Sequence, residues 1–296
     1  MACPTGAEAG GSDIPGTRSD WLCQFALSGA LTMASSPDSG LEAMVCFPDR
    51  QAAGEQLAAA VVRAIAANPP PGVVTKRGTD GALAQSPYIV YALPRGGLPV
   101  AVPIAQRLRC PLDVVVAKKI TRLDNPELAI GAVTADGQTL WLTPERSPLA
   151  AFGHLQSRLS QARAQAQTKA QQQLAEFRQV WPAQSPTGAI AIVVDDGIAT
   201  GMTMAAAVQA LRAQAPAEVW ICAPVAPPDL VPQLQAWGDR VILLATPSPF
   251  NSVSRFYQAF PQVEMAAALA ALQTANAPAP EATGQVAEPP EPSQNS

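Results

Sequence analysis

The sequence is poor in the residues that do metal, redox or histidine chemistry. Its five cysteines, Cys3, Cys23, Cys46, Cys110 and Cys222, are scattered, and none sits at the close spacing of a zinc or redox pair. A thiolate metal centre is therefore not expected, and the pattern suits a reducing cytoplasm. The single histidine, His154, would serve as an acid or base at a reacting nitrogen only if its segment folded inward; the start of a surface helix is its plainer place. No run approaches the ~20 apolar residues that span a bilayer, because Gln, Arg or Pro interrupts each Ala-rich stretch. Basic residues are not in excess either: 19 Lys and Arg stand against 23 Asp and Glu, with a pI near 5.1. Such a chain lacks the global positive field of a nonspecific nucleic-acid binder, so a nucleic-acid partner is not expected without a local patch. Two nucleotide loops are also missing. "GIATGMT" (197–203) has one residue fewer between its glycines than a Walker A loop and carries Met202 in place of the lysine, and no GxGxxG turn is present. An ATPase and a dinucleotide oxidoreductase are disfavoured.

What the chain does have is apolar content, 48% over 296 residues, enough for one large or two small domains with a sizeable core. Residues 1–43 are rich in Gly, Ser, Ala and Pro without a sustained period and are expected to be disordered. Within them "WLCQFALSGALTMASS" could be the apolar part of a signal peptide, but Glu8, Asp13 and Asp20 precede it against Arg18 alone. Translation from Met33 or Met44 is the plainer hypothesis, since foldable sequence begins at "VCFPDRQAAGEQLAAAVVRAI". The end of the chain, 275–296, is Pro-rich, acidic and free of aromatics, the composition of a disordered tail. The folded domain is thus expected over 44–274.

Within that span five short runs rich in β-branched residues, 88–93, 112–117, 189–194, 218–223 and 240–245, have the character of strands buried on both faces. Segments 50–67, 98–108 and 202–214 are long enough for crossover helices. An α/β fold with a mainly parallel sheet and helices on both faces follows, with ligands at the carboxyl ends of the strands. The Gln- and Ala-rich segment 154–180 predicts a long helix with a thin apolar stripe. Its Arg158, Arg163, Lys169 and Arg178 against Glu176 leave two readings open, a solvated helix on the flank or a basic flap over an anionic ligand.

The most informative stretch is "AIVVDDGIATGMTM" (191–204). A central strand ending on Asp195 and Asp196 places both acids where the chain leaves the sheet. Backbone N–H groups around Thr200–Thr203 then converge at the start of the next helix. A helix N-terminus with hydroxyl residues cradles phosphate, and paired acids accept hydrogen bonds from vicinal hydroxyls, a combination that suits a sugar phosphate. The alternative is that Thr200 or Thr203 caps a helix and the acids mark a polar turn.

"IVVDDGIATGMT" together with "LPRGGLPVA" resembles the type I phosphoribosyltransferases, and most of all a little-described bacterial subgroup, over roughly residues 45–262. The resemblance implies a three-layer fold with a small hood. It also implies 5-phosphoribosyl-1-diphosphate (PRPP) as ligand and Mg²⁺ bridging its diphosphate and ribose hydroxyls. By that match Asp195 and Asp196 take the ribose hydroxyl region, touch the metal indirectly and stabilise an oxocarbenium-like transition state. Ala199, Thr200, Gly201, Met202 and Thr203 would hold the 5′-phosphate, and Arg95, Gly96 and Gly97 the diphosphate. Gly197 departs from the family, where many members carry an aliphatic residue, and is expected to loosen the loop.

The segment "VVVAKKITRLDNPELAIGAV" (114–133) ends a predicted strand on Lys118 and Lys119. With Arg122 these could neutralise a leaving diphosphate; Lys119 best fits the family's basic position, ahead of a flexible loop. A solvated charge pair is the alternative, and Glu127 is an open candidate for holding metal or loop. In "TPSPFNSVSRFYQAFPQV" (246–263) Phe250, Phe256 and Tyr257 either stack on an acceptor base or pack against the sheet. The function so implied is transfer of a phosphoribosyl group from Mg-PRPP to a nitrogenous acceptor such as a purine, with release of diphosphate. A PRPP-sensing regulator and a hydrolase are the alternatives. The expected partners are PRPP and the acceptor, with a homodimer left open.

Overall fold

The computed structural model describes residues 47–70, 86–141 and 153–277. The predicted N-terminal extension (1–43) and nearly all of the predicted tail lie outside the described residues, as do the side chains of Glu127 and His154. In chain order the elements are α1 (Arg50–Ala67), β1 (Tyr88–Ala92), α2 (Gly97–Leu108), β2 (Leu112–Val114), β3 (Ala117–Arg122), β4 (Asn125–Thr134), β5 (Thr139–Trp141) and α3 (Gly153–Arg178). They continue with β6 (Ile190–Val194), α4 (Met202–Arg212), β7 (Glu218–Val225), α5 (Val231–Trp237), β8 (Arg240–Ala245) and α6 (Met265–Asn276).

The apolar runs become strands because each of their faces meets its own apolar layer. β2, β1, β6, β7 and β8 form, in that order, a wholly parallel sheet. Val90, Ala92, Ile192, Val194 and Cys222 turn to one side, where Leu57 and Val61 of α1, Leu98 and Ile104 of α2 and Leu272 of α6 cover them. Ile89, Tyr91, Val193 and Ile221 turn to the other, against Met204 and Val208 of α4 and Leu234 of α5. Both faces being dry, the strands read as continuous apolar runs.

The strand order reverses between β1 and β6. From β1 the chain moves outward to β2, whereas β6 leads the other way to β7 and β8. A crevice opens at such a switch point beyond the carboxyl ends of the two strands. The loops after β1 and β6 are the LPRGG and DDGIATG segments.

Two sequence expectations need correction. The run 112–117 is not one strand: β2 ends at Val114, and from Ala117 the chain pairs antiparallel with β4 in a second, three-stranded sheet, β3-β4-β5. The segment after Lys119 is thus largely a bulged hairpin, with register shifts around Thr121, where the resemblance implies a flexible loop. The long helix α3 packs on this small sheet through Ala162 and Ala166 against Ile120 and Val133. Three of its four cations, Arg158, Arg163 and Arg178, make structural contacts, Arg158 lying 3.9 Å from Asp124. Arg163 donates to Thr139 Oγ1 (2.8 Å) and to the Gly137 carbonyl (3.2 Å), and Arg178 grips the buried Asp113 at 2.6 and 3.2 Å. The flank reading holds for them; Lys169, which lies near Lys118, is the exception.

α6 extends to Asn276, past the predicted boundary at 274, because Asn276 exchanges hydrogen bonds with Leu112 N–H (2.9 Å) and C=O (2.8 Å). The segment after β8, where the sequence predicts a hood, returns across the carboxyl edge. There it bonds to the start of the domain: Phe47 N–H donates to Phe256 O (3.0 Å), Gln258 N–H to Phe47 O (2.9 Å) and Ala259 N–H to Pro48 O (2.9 Å).

Candidate active site

The two signature loops interlock. Leu93 N–H donates to the Val194 carbonyl at 2.8 Å, drawing the end of β1 against the end of β6. A Cβ on Gly96 would stand 2.1 Å from Asp196 Oδ2, and one on Gly97 would stand 2.7 Å from Val194 O. Only glycine permits that approach. The Pro94–Arg95 peptide in the first loop is cis.

A cavity of about 250 Å³ lies over this junction, lined by Arg95, Gly96, Asp195, Asp196 and Thr203 from the two loops, together with Ala117 and Arg50. Gln262 and Val263 close it from the segment after β8. Both acids are half-buried. Asp195 Oδ1 accepts from Asp196 N–H at 2.9 Å, and Asp196 Oδ2 accepts from Arg50 Nε at 2.7 Å. Burial, and then the charge of Asp196, hold the Asp195 carboxyl well above its ordinary value. Burial also raises Asp196, opposed by the hydrogen bond and charge of Arg50.

The loop after β6 enters α4 through a glycine. Gly201 occupies the N-cap of α4 in a left-handed conformation (φ 71°), and no side chain caps the helix. The first N–H groups of α4 are thereby left without a side-chain cap, and the alternative of a Thr200 or Thr203 cap is not what forms. Ala199 and Thr200 are exposed, Thr203 reaches the cavity, and Met202 buries its side chain and presents only its backbone. The cavity thus brings together two cations, Arg50 and Arg95, two acids and the Thr203 side of α4.

Comparison with known proteins is decisive at this point, since the model of the phosphoribosyl transferase domain matches residues 76–245. The chain belongs to the phosphoribosyl transferase family. It is 36% identical over 220 residues to "Putative phosphoribosyl transferase Rv0571c" of Mycobacterium tuberculosis strain H37Rv, and equally to its counterpart in strain CDC 1551. That match covers 74% of this chain but 44% of the relative, so the chain spans less than half the length of the curated relatives it matches. The crystal structure of TT1426 from Thermus thermophilus superposes with a TM-score of 0.60 at 31% identity, covering 77% of this chain and 98% of that one.

Within this phosphoribosyl transferase frame the other sequence candidates separate. Lys119 is exposed and shares its strand face with Ala117, a cavity-lining residue. Lys118 points to the opposite face and is half-buried; burial, with Arg95 and Lys169 nearby, lowers its pKa. Arg122 is exposed, pairs with Asp124 at 3.0 and 2.7 Å, and does not line the cavity. Gly197 does not loosen its loop. It is buried, and a Cβ there would stand 2.4 Å from Val253 Cγ1, so Val253 fills the space beside it.

The aromatic candidates for base stacking are elsewhere. Phe256 and Tyr257 are buried in a cluster with Phe47, and Phe250 stacks on Phe256 at 5.1 Å; none of the three lines the cavity. The packing alternative describes them. Tyr257 has a second job, since its hydroxyl donates to the Asp196 carbonyl at 2.5 Å. Arg50 was not legible as a site residue. It reaches Asp196 across a sequence separation of 146, and only the N-cap signal of Asp49, which accepts from Ala52 N–H at 2.8 Å, marks its neighbourhood.

Proposed function

We propose that the chain is a PRPP-dependent phosphoribosyltransferase acting on a nitrogenous acceptor. The observation that carries this is the interlock of the two loops, which brings the acid pair, Thr203 at the start of α4 and Arg95 around one cavity. In the reaction the bond from ribose C1′ to the diphosphate oxygen breaks with its electron pair. An acceptor nitrogen then bonds to C1′ and gives up a proton to solvent. The α4 N–H groups and the Thr203 hydroxyl bind the 5′-phosphate, and Arg95 and Lys119 draw charge from the departing diphosphate. Asp195 and Asp196 accept from the ribose hydroxyls and offset positive charge that develops on the ring.

The acid pair fits a Mg²⁺ brought in on the substrate. Among the described residues no group of three or more His, Cys, Asp or Glu side chains could hold a metal, and Mg²⁺ commonly needs only one or two carboxylates besides substrate phosphates. Asp195 and Asp196 are the residues that would hold it, and the ion would neutralise diphosphate oxygens as they leave.

The test is diphosphate release from Mg-PRPP across a panel of purines, pyrimidines and other nitrogen heterocycles. Release that depends on the acceptor supports the transferase. Release without any acceptor makes the protein a hydrolase, and tight PRPP binding without release makes it a sensor.

A further inference from the structure

Arg50 lies outside the stretch that matches the family model, yet it lines the cavity and is 8% exposed. Three contacts fix its guanidinium. Nε donates to Asp196 Oδ2 at 2.7 Å, Nη1 donates to the Pro261 carbonyl at 2.6 Å, and the group lies over the Phe260 ring, 3.6 Å from its centroid. The backbone bonds between 47–48 and 256–259 bring these partners together. Asp196 Oδ2 thus accepts from Arg50 and lies against the bare Cα of Gly96, while Tyr257 holds the Asp196 backbone carbonyl.

We propose that Arg50 is a positioning residue, which holds the Asp196 carboxylate in one orientation and so links the ribose site to α1 and to the 256–263 segment. The proposal rests on the phosphoribosyl reading of the site. With Oδ2 committed to Arg50, the carboxylate is already held in one orientation when the ribose arrives. The fork of a guanidinium is what allows one side chain to bridge a carboxylate and a carbonyl while stacked on a ring; an ammonium can take only part of that set.

The experiment is calorimetric titration of Mg-PRPP into wild type, Arg50→Gln, Arg50→Lys, Asp196→Asn and the Arg50→Gln/Asp196→Asn double variant, with thermal unfolding of each. Removal of a charge-assisted partner is expected to weaken PRPP binding roughly ten- to hundredfold in Arg50→Gln. The loss should be smaller in Arg50→Lys. Because Arg50 acts through Asp196, Arg50→Gln should add nothing in the Asp196→Asn background, an outcome that general destabilisation does not produce. Wild-type affinity in both Arg50 variants, or the same fold loss with and without Asp196, overturns the proposal while leaving the transferase reading in place. Wild type that does not bind PRPP overturns that reading and this one with it. Should Arg50→Gln fail to fold, Arg50→Lys decides, with affinity equal to wild type counting against the proposal.

Discussion

The contact between the two loops can be tested with one methyl group. Gly96 has φ −60° and ψ −33°, an ordinary helical conformation, so alanine meets no backbone penalty there. It would even gain about 0.5–1 kcal/mol from its smaller loss of chain entropy. Its Cβ, however, would stand 2.1 Å from Asp196 Oδ2 and 2.7 Å from Cγ, so the carboxylate has to retreat by about 1 Å or more. The same oxygen accepts from Arg50 Nε at 2.7 Å, so moving the carboxylate disturbs that bond. Overpacking costs about 1–3 kcal/mol, and loss of a charge-assisted hydrogen bond about 1.5–3. Less the alanine gain, Gly96→Ala should lose roughly 2–5 kcal/mol, which for a domain of this size lowers Tm by at least about 4 °C. Mg-PRPP titration should show a loss of affinity beyond what the lower stability explains, since the displaced group is a proposed ligand. Differential scanning calorimetry and the titration are done on the same preparation. An unchanged Tm together with unchanged PRPP affinity would refute the interlock.

Asp195→Asn should stabilise the ligand-free protein at neutral pH while removing PRPP binding. Burial raises the folded-state pKa of Asp195 above the ordinary 3.8, so its protonated form favours folding and that stability is lost as pH rises through the folded pKa. The Tm advantage of Asn over wild type should therefore be small at pH 4 and grow toward pH 7; an advantage that shrinks with rising pH would contradict the assignment. Arg178→Met should cost about 3 kcal/mol in urea unfolding, because it removes the countercharge of Asp113, which is 1% exposed and keeps only the N–H groups of Val114 (2.7 Å) and Gln184 (2.8 Å). A loss well under 1 kcal/mol would show that Asp113 finds other partners.

The parallel sheet was legible because a strand buried on both faces leaves a continuous apolar run, as in 189–194, and a run of that kind needs no knowledge of its neighbours. The candidate site lies in local segments that sequence alone marks: acids at a strand end, followed by a loop of small and hydroxyl residues before a helix. What failed depends on partners distant in sequence. Val114 and Ala117 look alike in an apolar run, but one pairs with β1 and the other with β4. Phe256 and Tyr257 are consumed by Phe47, more than two hundred residues earlier. Gly197 looks like a loosened loop until Val253 fills the space beside it. Arg50 carries no sign of Asp196 in its own surroundings, since the backbone pairing that joins them runs from one end of the domain to the other.

The most direct measurement is calorimetric titration of PRPP with Mg²⁺ into the wild-type protein and into the Asp195→Asn/Asp196→Asn variant. We predict saturable binding to wild type that disappears in the variant while the variant remains folded. Absence of binding by wild type, or binding of equal strength by both, would contradict the assignment of the acid pair to a ribose-phosphate site.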